Sequence, residues 1–379
     1  MVSRLSKAAV MVASALALSA CPEKKVVDPP KPPPEPPKPV VQPVVAKPPE
    51  VRAEKECAAP IDPGPTSELK VGERTAKLSG AHLTFSDKDA DGEFVVGVLG
   101  PVNEDSGENL FALKKYVKFF QEQKADAIVL TGDIGDLAPG ITRVVSELAT
   151  AKVPVLVIAG NQECRAEFTD GVAAAQKDNS NVINMNAVRS VEFPELMFVS
   201  LPGYHDQGYL KCATGCLYYP STVAEVVREA KEAKVPVALV SHGPPHGNGP
   251  QALDHAGAAG NVGDEAVAKL IEEAKIGFGF ASNIKEAGGR ATSDAVGTQL
   301  VKEGTASKTL FLNPGPADTF GWEMNDATKS VGMAAVVKFK GGEATWKGFR
   351  MKPLTAGEKA EAKKLAPPAR PAPNEAPAK

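Results

Sequence analysis

The sequence predicts a fold of the α/β class from two alternating patterns. Short, β-branched apolar runs that do not alternate with polar residues are typical of strands covered on both faces. Segments with apolar residues at helical spacing fall between these runs, as in Leu110, Leu113, Val117 and Phe120. Strand and helix patterns that alternate in this way indicate βαβ units.

Nine apolar runs are the strand candidates, and the last two are expected to form a hairpin. No helical pattern separates those two, and Lys340-Gly341-Gly342 between them is typical of a hairpin turn. The runs are Val95–Leu99, Ala127–Leu130, Val153–Ile158, Met197–Leu201, Val235–Val240, Ile276–Phe280, Thr309–Leu312, Met333–Phe339 and Ala344–Phe349.

Two further helices are expected in the second half of the chain. Thr222 and Glu225 have the spacing of a capping box, which predicts that a helix begins there. The positions at helical spacing are Val223, Val226, Val227 and Ala230 in the first helix and Val267, Leu270 and Ile271 in the second.

The N-terminus has the pattern of an export signal. Arg4 and Lys7 precede a short apolar stretch, which is typical of a secretory signal peptide over residues 1–20. The stretch is shorter than the roughly 20 apolar residues of a membrane-spanning helix. Leu18-Ser19-Ala20-Cys21 resembles a bacterial lipobox, which implies cleavage before Cys21 and lipid on that cysteine. An ordinary signal peptide with a chance cysteine is the alternative.

Proline-rich segments predict disorder at both ends. Residues 21–75 are expected to form a tether. In polyproline II geometry, at about 3.1 Å per residue, its Pro-rich stretch from Pro22 to Pro65 would reach on the order of 100 Å. A ligand for a proline-recognition domain is the alternative. Residues 353–379 are expected to form a disordered tail. One folded domain, residues 76–352, remains between them.

Charge and cysteine content restrict the partners and the compartment. The net charge of −3, without a basic stripe, argues against a nucleic-acid partner. Four cysteines besides Cys21 permit two disulfides in an exported protein. Cys212 and Cys216 are close enough to close a small loop, and Cys57 with Cys164 would follow by elimination.

Pro22, rather than Asp, after Cys21 favours the outer membrane by resemblance to lipoprotein sorting in Gram-negative bacteria.

Polar residues stand where three of the apolar runs end. Asp133, Asn161 and His242 each follow such a run. In α/β proteins, ligands bind just outside the carboxyl ends of the strands. Oxygen and nitrogen donors delivered there suit a hard or borderline divalent metal. Taken singly, Asp133 and Asn161 are typical turn residues and His242 a structural histidine, so it is their order that predicts a site.

This order of motifs resembles the calcineurin-like metallophosphoesterase family over roughly residues 94–349. The resemblance implies two packed mixed β-sheets flanked by helices, a four-layer sandwich. It also implies hydrolysis of phosphate esters at a two-metal site, where Asp133 bridges the metals and Asn161 and His242 bind the second. Asn313-Pro314-Gly315-Pro316 resembles a family turn that supports the site.

Several residues of the family's site are replaced in this chain. Gly100 and Val102 stand where an Asp and a His bind the first metal, and neither side chain can ligate. Gln162 stands where a His donates a proton to the leaving group. Asn283 and Lys285 stand at the two histidines of the closing motif.

The resemblance therefore implies either one divalent ion (Mn, Fe or Zn), held by Asp133, Asn161, His242 and Asn283, or no metal. Lys285 is predicted to point into the cleft and pair with Asp133, in place of the lost metal. The alternative is that Lys285 is a solvated loop residue. The remaining cleft residues are Asp136, Gln162, Glu163 and His246.

Two functions follow from these replacements. The first is a phosphate-ester hydrolase with a reduced site, and the second is a non-catalytic protein that binds a ligand or an envelope protein. Either is expected to be held in the cell envelope through the lipid anchor. The sequence has no serine-hydrolase elbow, Walker A loop or zinc-protease helix.

Overall fold

A computed structural model describes residues 53–87 and 92–368. The predicted signal peptide, Cys21 and most of the Pro-rich tether lie outside the described residues. None of the helices that the structure describes combines the length and the apolarity that a bilayer span requires.

The strands of the described part form two large sheets and one small hairpin. In chain order they are β1 (Thr66–Val71), β2 (Arg74–Ser79), β3 (His82–Phe85), β4 (Glu93–Leu99), β5 (Ala127–Leu130), β6 (Val155–Val157), β7 (Val182–Asn184), β8 (Ser190–Glu192), β9 (Met197–Leu201), β10 (Val237–Ser241), β11 (Phe278–Phe280), β12 (Arg290–Thr292), β13 (Leu310–Asn313), β14 (Trp322–Glu323), β15 (Lys329–Ser330), β16 (Met333–Lys340) and β17 (Glu343–Arg350).

Both large sheets are mixed. The six-stranded sheet has the order β17-β16-β4-β5-β6-β7, in which β4 to β7 are parallel and β16 and β17 form an antiparallel edge. The nine-stranded sheet has the order β1-β2-β3-β8-β9-β10-β11-β13-β12, with a parallel centre from β9 to β13. The predicted hairpin is present, since Lys340 pairs with Glu343 and both intervening glycines have positive φ.

Six α-helices accompany these sheets in the described residues. They are α1 (Gly107–Glu122), α2 (Ala138–Ala149), α3 (Arg165–Asp178), α4 (Pro220–Glu232), α5 (Glu265–Ala274) and α6 (Ala356–Leu365).

Three apolar clusters define four layers. Val96 and Val98 of β4 pack with Phe198 and Val240 between the two sheets, whereas Val95 and its neighbours face α1, α2 and α3. A third cluster joins the outer face of the nine-stranded sheet to α4 and α5. Both faces of the central strands are therefore covered, which explains their continuous apolar runs. The predicted fold of two packed mixed sheets flanked by helices is confirmed.

The predicted ends of the folded domain were wrong. The strand β1 lies inside the supposed tether, residues 21–75, and α6 lies inside the supposed tail, residues 353–379. Only Val71 of β1 and Ala362 of α6 are buried, so neither segment has a clear apolar pattern. A capping box of Thr355 and Glu358 starts α6.

Two local predictions were also wrong. The helix α4 begins at Pro220, so Thr222 lies within its first turn and accepts from the backbone of Tyr219. The disulfides are Cys57–Cys216 and Cys164–Cys212, and not Cys212–Cys216. Cys216 is fully buried, whereas Cys212 lies nearer the surface, so the two thiols meet different partners despite their proximity in sequence.

Candidate functional site

The structure brings together the three side chains that were predicted from the ends of strands. Asp133, Asn161 and His242 follow β5, β6 and β10, whose carboxyl ends meet at one edge of the sandwich. The Nε2 atom of His242 lies 2.8 Å from Asn161 Oδ1 and 3.2 Å from Asp133 Oδ1. All three side chains are almost completely buried.

Glycines permit this close approach. A Cβ atom on Gly132 would lie 2.6 Å from the backbone nitrogen of Gly160, and one on Gly160 would lie 2.4 Å from Asp133 Oδ1. Asp133 itself has a φ of 55°, a conformation that non-glycine residues rarely adopt. The backbone N–H groups of Asn161 and Gln162 donate to its Oδ1 at 3.1 and 3.0 Å and stabilise it there.

Glu163 accepts hydrogen bonds from the backbone beside Asp133 and Asn161. Contrary to the prediction, it does not line the cleft. It is fully buried and accepts hydrogen bonds from the backbone of Ile134 and, at 2.8 Å, of Gly160. Burial, followed by the charge of Asp133, raises the pKa of Glu163 to about 7.

Hydrogen bonding fixes the orientation of the His242 ring. Its Nδ1 donates to the carbonyl oxygen of Thr131 at 2.8 Å, so Nε2 faces the oxygens of Asp133 and Asn161. Burial acts to lower the pKa of His242, but the charge and hydrogen bond of Asp133 outweigh it, and the pKa is raised. Three acceptors so close together require a cation between them, either a proton on Nε2 or a metal ion.

These three donors fit one divalent ion. An imidazole nitrogen, a carboxylate oxygen and an amide oxygen are suitable ligands, and the Nδ1 bond to a backbone carbonyl is the usual support of a ligating histidine. No group of three or more His, Cys, Asp or Glu side chains within residues 53–87 and 92–368 is placed to hold a metal. The site at Asp133 has only two such side chains, with an amide as its third donor.

Lys285 lies on the other side of Asp133. Its Nζ atom is 3.9 Å from Asp133 Oδ2, within the roughly 4 Å limit of an ion pair, and 5.0 Å from the centre of the Trp322 ring. Only 8% of Lys285 is exposed, so it is not a solvated loop residue. Burial would raise the pKa of Asp133, but His242, Lys285 and Lys211 hold it well below its usual range.

The place of the first metal's other ligands is filled by protein. A Cβ atom on Gly100 would lie 2.2 Å from the carbonyl oxygen of Gly315 and 3.0 Å from Ser282 Cβ. Val102 is completely buried in the apolar cluster beside the six-stranded sheet. The loop Asn313-Pro314-Gly315-Pro316 therefore occupies the volume that an aspartate at position 100 would need.

Gln162 is fully hydrogen-bonded in the position of the family's acid. Its Nε2 donates to Asn103 O at 2.7 Å and to Asp136 Oδ1 at 2.5 Å, and its Oε1 accepts from Lys211 Nζ at 3.1 Å. An amide cannot donate a proton to a leaving group at ordinary pH.

The segment of residues 205–216, which we call the strap, passes along the site and was missed in the sequence. Asn161 Nδ2 donates to Tyr209 O at 2.6 Å, and Lys211 N donates to Asn161 O at 3.0 Å. The Cys164–Cys212 disulfide fastens the strap beside the Asn161 turn, and Cys57–Cys216 holds its end. The correct cysteine pairing would have placed Lys211 at the site.

Two other predicted residues have different roles. Asn283 directs its Nδ2 to the hydroxyl of Tyr204 at 2.9 Å, and the Tyr204 ring packs edge-on against His242. His246 contacts Gly263 and is absent from the residues that line the cleft, so its assignment there was wrong.

A cleft of about 700 Å³ opens beside Gln162 and Lys285. Its lining residues are Asn103, Glu104, Ser106, Glu108, Asn109, Asp136, Gln162, Lys211, Lys285, Asp318, Thr319, Phe320 and Trp322.

Comparison with known proteins finds similarity to one family. Residues 105–277 match the family model of calcineurin-like phosphoesterases. This part of the chain is similar to that family, as the motifs predicted. No curated protein matches the chain.

Several solved structures are similar in fold at low sequence identity. A dimetal phosphatase from Danio rerio is 15% identical, over 68% of this chain and 96% of that one, with a TM-score of 0.44. A protein of Thermus thermophilus is 16% identical, over 59% and 89%, with a TM-score of 0.39. GAP50, the anchor in the inner membrane complex of Plasmodium, is 9% identical, over 74% and 98%, with a TM-score of 0.42.

Proposed function

We propose that this protein is a non-hydrolytic relative of the calcineurin-like phosphoesterases, which binds a ligand in the cleft beside Gln162 and Lys285. The observation that carries this proposal is the backbone of Gly315, 2.2 Å from where a Cβ of residue 100 would lie. Because this volume is filled, the first metal lacks not only its ligand but also the space for one.

The remaining chemistry is insufficient for two-metal hydrolysis. Two metal ions would clamp the attacking and leaving oxygens of a phosphate ester and generate the nucleophile. Here Lys285 stands on one side of Asp133, and Gln162 offers no acid. An ammonium supplies charge to Asp133 but cannot activate a water as a metal does.

Hydrolysis of aryl phosphate mono- and diesters, with added manganese or zinc, tests this proposal. We expect turnover well below about 1 per second, the lower end of the usual range for enzymes. Turnover within that range that disappears in Asp133→Asn would overturn it. Lys269→Gln, an exposed residue of α5 that pairs with Glu265 and does not line this cleft, is the control for nonspecific loss.

A single-metal hydrolase is the second candidate, and the convergence of Asp133, Asn161 and His242 favours it. These residues would hold one ion, which would polarise a phosphoryl oxygen when bound. A free-ion concentration 100 times the Kd would stabilise the fold by about 2.7 kcal/mol. Zinc-dependent stabilisation that is lost in His242→Ala, together with zinc-dependent turnover, would support this candidate over the first.

We further propose that lipid on Cys21 attaches the domain to the cell envelope, and that the membrane is the outer one. The lipobox-like Leu18-Ser19-Ala20-Cys21 supports this, and the two disulfides are consistent with an oxidising compartment. Cys21→Ala is expected to release the protein from membranes or leave an uncleaved precursor. Unchanged membrane partition and unchanged size would contradict the proposal.

A further inference from the structure

We infer that the cleft binds an uncharged oligosaccharide, rather than a phosphate ester. This inference rests on the proposed non-hydrolytic function and names the class of its ligand. Three observations carry it: an exposed aromatic side chain in the cleft, a rigidly held indole, and an excess of carboxylates in the cleft.

The first observation concerns exposed aromatic surface. Among the large hydrophobic side chains that the structure describes, Phe320, 66% exposed, and Tyr209, 59% exposed, are the most accessible. Phe320 lines the cleft beside Trp322, with 5.0 Å between the ring centres, whereas Tyr209 is not among the lining residues. Aromatic surface left in water is unfavourable, so the exposed Phe320 ring in this cleft indicates a ligand that covers it.

The second observation is that Trp322 is held in place. Its Nε1 donates to Asp318 Oδ1 at 2.8 Å, and Lys285 Nζ lies 5.0 Å from the ring centre. The Phe320 and Trp322 rings are 5.0 Å apart and inclined by 62°. An indole fixed in this way loses little freedom when a ligand packs against it.

The third observation is the charge of the lining. Four carboxylates (Glu104, Glu108, Asp136 and Asp318) face two ammonium groups (Lys211 and Lys285), which gives a net charge of −2. Lys285 is already paired with Asp133. A phosphate monoester is itself dianionic near neutral pH, so repulsion opposes its entry.

An uncharged sugar satisfies all three features. The C–H groups on one face of a sugar ring carry partial positive charge and pack against the negative face of an aromatic ring. Sugar hydroxyls donate to carboxylates such as Glu104 and Asp136 and accept from Lys211. A cleft of about 700 Å³ lies within the size range of small-ligand sites.

The two tryptophans make a direct test possible. Trp322 lines the cleft, whereas Trp346 is buried between the sheets and donates to Val301 O at 2.8 Å. Tryptophan fluorescence of the full chain is titrated with tri-N-acetylglucosamine, cellotriose and glycerol 2-phosphate. We expect a saturable change with at least one oligosaccharide and none with the phosphate ester.

Calorimetry of Phe320→Ala and Leu300→Ala provides the matched comparison. Both side chains are exposed, 66% and 48%, but only Phe320 lines the cleft. Phe320→Ala should weaken oligosaccharide binding about three- to tenfold, and Leu300→Ala should leave it unchanged.

Binding weaker than about 10 mM for both oligosaccharides, or equal loss in both variants, would overturn the inference. Saturable binding of glycerol 2-phosphate alone would also overturn it. Neither result affects the proposed absence of hydrolysis, which the turnover assay tests separately.

Discussion

The two sides of Asp133 differ sharply, although they share one carboxylate. On the side of Asn161 and His242, the donors remain, and His242 Nε2 lies 2.8 Å from Asn161 Oδ1 and 3.2 Å from Asp133 Oδ1. On the side of Gly100, a backbone loop and an ammonium fill the space. The retained donors also bond to the backbone at Thr131 and Tyr209. His242 and Asn161 therefore also stabilise the local fold. On the replaced side, the contacts come from Gly315 and Lys285 instead.

The largest effect is expected when an aspartate is returned to the replaced side. Gly100→Asp would drive its Cβ into Gly315 O and bury a charge, so we expect a loss of about 3–5 kcal/mol and no gain of hydrolysis. Denaturant unfolding measures the loss. Gly357→Asp is the control, because nothing lies within 4 Å of its Cβ position. A stable Gly100→Asp protein with zinc-dependent turnover would show that the first site is open.

The next largest effect is expected on the retained side, because the strap is bonded to Asn161 and Cys164 there. Cys164→Ser with Cys212→Ser should cost about 2–4 kcal/mol and expose the strap amides to hydrogen exchange. The Cys57–Cys216 bond closes a longer loop, 159 residues against 48, so its removal by Cys57→Ser with Cys216→Ser is expected to cost about 1 kcal/mol more. Equal protection of residues 205–216 in the first pair of variants and in the unaltered protein would contradict the role of the strap.

A smaller effect is expected when the ammonium of the replaced side is removed. Lys285→Gln leaves one oxygen of buried Asp133 without its ion pair, at a cost of about 1–3 kcal/mol. Lys285→Arg keeps the charge and serves as the comparison. If Lys285→Gln unfolds at the same denaturant concentration as the unaltered protein, the ammonium does not stabilise Asp133.

The smallest effect concerns the pH dependence of the retained side. The pKa of Glu163 is raised to about 7, so the folded state favours its protonated form. Its contribution to stability is then complete below its ordinary pKa of 4.5 and is lost as pH rises through about 7. Glu163→Gln should therefore show a shallower fall in melting temperature between pH 5 and pH 8. An unchanged slope would assign that fall to other groups.

Sequence patterns were sufficient where a residue directly follows a buried strand. Asp133, Asn161 and His242 could be predicted because a β-branched run fixes where the polar residue after it will lie. The strands with mostly exposed residues, such as β1, and the weakly apolar α6 have no such pattern.

Residues that reach the site through long-range contacts could not be predicted. Lys211 depends on the pairing of Cys164 with Cys212, and Trp322 depends on the packing of β14 over Lys285. The absence of a ligand at Gly100 is evident in the sequence. The sequence does not show that Gly315 fills the space beside Gly100, because more than 200 residues separate the two in the chain.

The Cys57–Cys216 disulfide also determines how the domain responds to mechanical force. Any tension on the chain upstream of Cys57 passes through this covalent bond to Cys216, at the end of the strap. The load therefore bypasses β1, whose hydrogen bonds to β2 would otherwise be the first to separate. A domain held by its N-terminus would thus be pulled at the end of the strap, and the tension would act on the segment that brings Lys211 to the cleft.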